Sequence, residues 1–270
     1  MKIIKSFKIL NKEINFNENI GFIPTMGALH KGHISLIKLG KKKTKKIIVS
    51  IFINPSQFND KKDYLKYPRN INKDISILKK LNVNYLFFPS TSEMYKKGII
   101  KKIKILKKDK ILCAKYRKGH FEGVLAVVNR FMQNIKARYI FFGEKDFQQI
   151  YLIKKYLQNK YITKIISCKT IRNKNKLALS SRNLLLSKTK LNRASKLIQN
   201  LINIKKKFSK NINFNKMLNL KRKELSKLYN VKIEYLELRN ANNLKLSNKL
   251  KNSKIFIAFY LDKVRLIDNF

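Results

Sequence analysis

Apolar and polar positions alternate between two periods along this chain, and the switches between them outline its architecture. Ile20-Gly21-Phe22-Ile23 is a continuous apolar run that reads as a buried strand, and Pro24 is expected to end it. Ile34 to Leu39 continues as a helix that Gly40 and a lysine run should stop. Ile47 to Ile53 is again a continuous run, apolar at every position but Ser50, as in parallel strands buried on both faces. Ile71, Ile75, Leu78 and Leu81 mark one side of a helix, and Tyr85-Leu86-Phe87-Phe88 reads as a strand closed by Pro89. Residues 91–112 are lysine-rich with scattered Ile and suggest a strand-like excursion. Val124, Val127, Val128, Phe131, Met132 and Ile135 form a helical core face, followed by strands at Tyr139–Phe142 and Ile165–Cys168.

Strand, helix, strand, helix, strand predicts an α/β fold with a doubly wound parallel sheet. Residues 187–229 read as two helices, the first marked by Leu191, Ala194, Leu197, Ile198 and Leu201. Three strands follow, at 231–238, 254–260 and 264–267. The chain therefore divides into a first domain over 1–172 and a smaller α+β domain over 173–270, with the second expected to act as a lid.

Composition changes the picture little. The formal charge is +48, from 63 Lys+Arg against 15 Asp+Glu. Lys, Asn and Ile are used throughout rather than in one stripe, which fits AT-rich codon usage better than a binding footprint. A basic nucleic-acid-binding protein is the rival reading, but no basic motif is interleaved with aromatics as in RNA-binding sheets. Weak, salt-sensitive polyanion binding is still expected. Lys2, Lys5 and Lys8 interrupt the first ten residues, so no signal peptide is expected, and no apolar run reaches membrane-spanning length. The two cysteines, Cys113 and Cys168, lack metal-like spacing and make no disulfide framework, which suits a reducing cytoplasm.

Candidate chemistry gathers just past the strands. After the first comes Pro24-Thr25-Met26-Gly27-Ala28-Leu29-His30-Lys31-Gly32-His33. Thr25 can cap a following helix, and Gly27 lets backbone approach a ligand. His30 and His33 share a helical face near an N-terminus, which suits the α-phosphate of a nucleotide. Asn54 and Gln57, past the next strand, can offer neutral hydrogen bonds to a polar substrate. Gly143-Glu144-Lys145-Asp146 leads into a helix carrying Gln149; Lys145 can reach phosphate and Asp146 can accept from ribose hydroxyls. Ser180-Ser181-Arg182 can clamp phosphate oxygens. His120, in Gly119-His120-Phe121, reads equally well as a structural histidine or a site residue.

Pro-Thr-Met-Gly-Ala-Leu-His-x-Gly-His and Phe-Gly-Glu-Lys-Asp-x-Gln-Gln together resemble the pantothenate synthetase family of the paired-histidine nucleotidyltransferases. The resemblance runs from about residue 3 to 269. It implies a Rossmann-like catalytic domain and condensation of (R)-pantoate with β-alanine through a pantoyl adenylate. ATP is the co-substrate, with Mg²⁺ carried on its phosphates and no protein metal site. It further implies a homodimer, no specific nucleic acid and no membrane partner. His30, His33, Lys145 and Arg182 become the catalytic candidates, with His33 the proton donor of the pair. The ATP contacts implied are Met26 to His33 without a break, Gly143 to Asp146, Ile171, and Leu179 to Arg182. Gln57, Gln149 and Asn54 would bind pantoate or β-alanine, with Phe52, Val127 and Val128 against pantoate's methyl groups. The chain departs from the family at Asn175-Lys176, where Asp-Gly is usual.

Overall fold

The computed structural model describes residues 1–95, 103–207 and 213–270. Six parallel strands form the first sheet: β1 (Lys2–Ile4), β2 (Ile20–Thr25), β3 (Lys46–Ile51), β4 (Tyr85–Phe87), β5 (Tyr139–Gly143) and β6 (Lys164–Cys168). Their order is β1-β4-β3-β2-β5-β6. The helices between them are α1 (Phe7–Glu13), α2 (Lys31–Lys43), α3 (Lys61–Lys66), α4 (Ile71–Lys80), α5 (Thr91–Met94), α6 (Cys113–Tyr116), α7 (His120–Asn134) and α8 (Phe147–Leu157). The doubly wound parallel sheet is as the pattern predicts.

Alternation along β2 explains the two layers. Ile23 and its neighbours Val49 and Leu86 join Leu36 and Ile37 of α2 and Leu78 of α4 in one core. Phe22 faces the opposite way and meets Phe131 of α7, ring centroids 5.2 Å apart. Phe87 reaches the same Phe131 and also Phe7 of α1. Helices α2 and α4 thus cover one face, α1 and α7 the other, and the strands between are buried on both sides, which is why they read as unbroken apolar runs.

Several boundaries differ from expectation. Pro24 does not stop β2: the strand runs on to Thr25, paired with β3. Pairing with β5 covers only Gly21 and Phe22, so the missing N–H of Pro24 falls where the ladder is one-sided. Gly40 does not end α2, which continues to Lys43. Gly40 is there for clearance, since a Cβ on it would lie 2.8 Å from Ile47 Cδ1. Gly21 on the strand beneath is equally tight, 2.9 Å from the same methyl and 2.8 Å from Thr44 Oγ1. β3 ends at Ile51 rather than Ile53. The excursion over 91–112 holds α5 and a 3₁₀ turn at Lys107–Asp109, with no strand among its described residues; 96–102 lie outside them. β1 and α1, a three-residue edge strand and a short helix, are too brief to show in the apolar pattern.

The chain divides into two compact units, Met1–Lys169 and Thr170–Phe270. The second holds α9 (Lys188–Lys207), α10 (Phe214–Leu228) and an antiparallel sheet of β7 (Lys232–Asn240), β8 (Ser253–Leu261) and β9 (Val264–Asn269) with β8 central. Leu197, Leu201, Phe214 and Leu218 from the helices pack on Leu236, Leu238, Ile257 and Phe259. This is the small α+β unit the sequence predicts.

Candidate active site

β2 pairs with β3 on one side and β5 on the other. The strand order therefore turns outward in both directions from β2, and ligands of open α/β sheets bind beyond the carboxyl ends at such a point. Three segments leave those ends: Met26–His33 after β2, Phe52–Gln57 after β3 and Glu144–Gln149 after β5.

Five backbone N–H groups of the first segment, those of Gly27, Ala28, Leu29, His30 and Gly32, donate to side chains of the protein. Thr25 does not cap α2. Its Oγ1 donates to Ser50 O (2.8 Å) and accepts from Gly27 N–H (3.2 Å), closing the turn. Gly27 (φ 77°) and Ala28 (φ 50°) are both left-handed, a conformation that strains the alanine. Asp74, on α4 and 2 % exposed, holds that conformation. Its Oδ2 accepts from Ala28 N–H and its Oδ1 from Leu29 N–H, each at 2.8 Å. Burial raises the Asp74 pKa, and the two N–H groups act against that rise. Sequence reading missed Asp74, although a signal existed. Ile71, Asp74, Ile75 and Leu78 follow the i, i+3, i+4, i+7 pattern, so Asp74 occupies an apolar-face position.

His30 is the residue that caps α2. Its Nδ1 accepts from Gly32 N–H (3.1 Å), and His33 Nδ1 accepts from His30 N–H (3.3 Å). The two imidazoles thus form a reciprocal capping box, with centroids 4.2 Å apart. A backbone N–H can only donate, so both Nδ1 atoms are unprotonated and each neutral ring carries its proton on Nε2. Gly32 permits this arrangement: a Cβ there would stand 2.7 Å from His30 Cε1. Burial lowers the His30 pKa to about 4, with the Lys145 charge adding to the effect and Asp146 opposing it. Burial lowers His33 to about 3, helped by His30 and Lys145, although part of its surface stays exposed. At neutral pH the pair is therefore two uncharged N–H donors.

At the end of β5, Glu144–Asp146 form a 3₁₀ turn leading into α8. Lys145 Nζ pairs with Asp146 Oδ1 (2.9 Å), and its charge is felt by both histidines, which brings these three predicted residues together. Gln148 is buried and donates to Ile111 O (2.7 Å); Gln149 beside it is half-buried in the first turn of α8. Met26 is half-buried, Gly27 to Leu29 are buried, and Lys31 is exposed at the start of α2.

The segment after β3 departs from expectation at Asn54. This side chain is fully buried. Its Nδ2 donates to Gly123 O (3.2 Å), and its Oδ1 accepts from Ser56 N–H, Ser56 Oγ and the Tyr95 hydroxyl. Those bonds build the loop and fasten it to α7 rather than presenting Asn54 to a ligand. Gln57 is half-buried, while Phe52, Val127 and Val128 are all buried. The Asn54–Gly123 bond sits about one helical turn before Val127 and Val128.

In the second unit, Arg172 and Ala178 bridge a hairpin in which Leu179 N–H donates to Ile171 O (2.9 Å). This joins Ile171 to the segment opening Ser180-Ser181-Arg182. Ser180 Oγ accepts from Arg182 N–H (3.3 Å) and caps a 3₁₀ turn; Ser181 is buried. The hairpin tip holds Lys176 at φ 68°. Lys176 N–H donates to Asn173 O (3.0 Å), so Lys176 takes the left-handed position of a three-residue hairpin loop, where glycine is favoured. Arg172 offsets that strain by donating to Lys176 O (2.8 Å) while gripping Asp268 through both Nη atoms.

A family model described as pantoate-beta-alanine ligase matches residues 2–270. A pantothenate synthetase of Francisella tularensis subsp. mediasiatica is 42% identical over 269 residues, covering 99% of this chain and 95% of the relative. A crystal structure of pantothenate synthetase from Thermus thermophilus superposes with a TM-score of 0.92 at 28% identity, over 100% of this chain and 99% of that one. A pantoate-beta-alanine ligase structure from Francisella tularensis, complexed with beta-gamma ATP and beta-alanine, gives 0.84 at 40% identity, over 100% and 97%. With the paired histidines, the switch-point loops and both units accounted for along the whole chain, the protein belongs to the pantoate-beta-alanine ligase family.

Proposed function

We propose that this chain condenses (R)-pantoate with β-alanine in two ATP-dependent steps. A pantoate carboxylate oxygen attacks the α-phosphorus, the bond to the β-phosphate oxygen breaks, and pantoyl adenylate and pyrophosphate form. The β-alanine amine then attacks the acyl carbon, loses a proton, and expels AMP to leave pantothenate. No covalent enzyme intermediate is needed, so positioning and charge stabilisation supply the rate.

The observation that carries this reading is the pair of Nε2–H donors at the start of α2. Backbone bonds to both Nδ1 atoms fix the donor edge of each ring. Neutral donors do not bind the ground-state anion as tightly as imidazolium would, and they strengthen as charge grows on the α-phosphate. His33 accordingly acts through a hydrogen bond that deepens toward proton sharing, not as a pre-formed acid. Lys145 supplies the mobile positive charge, and Asp146 orients it and reaches ribose. Ser180, Ser181 and Arg182 are assigned phosphate contacts, with the small unit as a lid. Mg²⁺ enters on the ATP phosphates. Gln57 and Gln149 are assigned to pantoate, with Phe52, Val127 and Val128 as apolar contacts. A homodimer in the cytoplasm completes the reading; Cys113 and Cys168 are buried and not joined in a disulfide.

The test is pyrophosphate release with ATP and pantoate, with and without β-alanine. Pantoate should trigger release and β-alanine should turn a burst into steady turnover. His33→Asn keeps an acceptor for His30 N–H but loses the Nε2–H, so adenylation should fall about 10²–10⁴-fold with the fold retained. Full-rate release in that variant would overturn the assignment.

A further inference from the structure

Arg117 and His120 converge on one atom of the loop after β3. His120 Nδ1 lies 2.8 Å from Gln57 O, and Arg117 Nη2 donates to the same oxygen at 2.8 Å. Arg117 Nη1 is 3.1 Å from His120 Nε2. A carbonyl oxygen can only accept and a guanidinium can only donate. The partners therefore fix His120 as the neutral tautomer with its proton on Nδ1. Three groups close a triangle in which each of the three contacts pairs a donor with an acceptor.

The local chain explains why these two side chains meet. His120 N–H donates to Arg117 O (3.1 Å) across a four-residue turn whose third member, Gly119, has φ 77°. That is a type II turn, which needs glycine at this position and sets its first and fourth residues side by side. His120 then begins α7 as a buried residue. The same helix approaches the loop so closely that a Cβ on Gly123 would lie 2.4 Å from Ser56 Oγ. Gln57 is thus gripped through its backbone, leaving its side chain for other work.

We propose that His120 and Arg117 are positioning residues that aim the Gln57 side chain at pantoate by holding the Gln57 carbonyl. The proposal rests on Gln57 being a pantoate contact. Neither residue touches substrate. Their effect is confined to the orientation of one loop and therefore to one of the three substrates.

The experiment is a double-mutant cycle on the full chain. Activity is measured over pantoate and ATP concentrations for wild type, His120→Ala, His120→Asn, Gln57→Ala and the His120→Ala/Gln57→Ala pair. His120→Ala should raise the pantoate KM about tenfold and leave the ATP KM within about twofold. His120→Asn restores a donor near Nδ1 and should recover most of the loss. In the Gln57→Ala background, His120→Ala should add less than about twofold, because the group it acts through is gone. Equal damage to both KM values, or an undiminished effect in that background, would overturn the proposal. If Gln57→Ala leaves the pantoate KM unchanged, the substrate reading of Gln57 fails, and the aiming role fails with it. The clamp itself is then judged by hydrogen exchange of the Ser56, Gln57 and Phe58 amides, bonded to Asn54 Oδ1, Asn54 O and Pro55 O. Their exchange should quicken in His120→Ala and stay near wild type in His120→Asn; unchanged exchange in both would remove the clamp as well.

Discussion

Replacing Asp74 by Asn is the most searching change available to the histidine loop. The carboxylate accepts two backbone N–H groups at 2.8 Å, one on each oxygen. An amide of the same shape keeps one acceptor and turns an NH₂ toward the other N–H. One charge-assisted bond, worth about 1.5–3 kcal/mol, is lost and the survivor is weakened. A buried N–H without an acceptor adds about 1–3 kcal/mol. Against this, the neutral amide escapes the burial that raises the Asp74 pKa, which recovers part of the loss. We expect a net destabilisation of about 2–3 kcal/mol, seen as a lower urea midpoint for the first unit. The functional effect should be larger than stability alone would give. Without its second acceptor the left-handed Ala28 relaxes, and His30 sits two residues further on. A shift of about 1 Å there should lower pantoate-dependent pyrophosphate release about 10²-fold. A variant with the wild-type midpoint and a rate within twofold would refute the argument that Asp74 organises the loop.

Acid should unfold the protein partly through its two site histidines. Their folded pKa values of about 4 and about 3 lie below the unfolded value of about 6.5, so the unfolded chain binds more protons between those limits. Stability should fall as pH drops from 6.5 toward 3, and the urea midpoint of His33→Asn should fall less over that window; parallel curves would count against the buried neutral pair. Lys176→Gly removes a left-handed lysine from the hairpin tip and should raise the urea midpoint of the second unit by the equivalent of about 0.5–1 kcal/mol, with kcat/KM unchanged. A lower midpoint would mean that the lysine side chain stabilises more than its backbone costs. Arg182→Lys keeps the charge and loses the fork, so pyrophosphate formation should suffer more than ATP binding; equal losses in both would argue against a role in the transition state.

The parts of the site legible in the sequence are those whose chemistry and backbone geometry lie within a few neighbouring residues. His30 and His33 cap one helix end, and Lys145-Asp146 form one turn, so short motifs exposed them. Asp74 acts across 46 residues, and only its misfit on an apolar helix face hinted at it. Asn54 misled because a polar residue past a strand end has the same sequence signature whether it faces a ligand or, as here, anchors its own loop. The breaker rules failed at Pro24 and Gly40 for tertiary reasons: a one-sided ladder tolerates the proline, and close helix–sheet packing requires the glycine. His120 stayed ambiguous because its meaning depends on Gln57 O, 63 positions away.

The seating of α2 on the sheet has an evolutionary consequence. A single methyl, Ile47 Cδ1, fills the space above both Gly21 and Gly40. Alanine at 40 alone would collide with that methyl and push Ile47 toward another rotamer in a closely packed core. Valine at 47 alone would remove the methyl and leave a hole. Made together, the two changes exchange one methyl for another at nearly the same place, so positions 40 and 47 should be tolerated as a pair and penalised singly. Gly21 has no such escape: its Cβ would still meet Thr44 Oγ1 at 2.8 Å and the Phe141 ring at 3.1 Å. Of two glycines touching the same side chain, one can drift in company and the other is held in place.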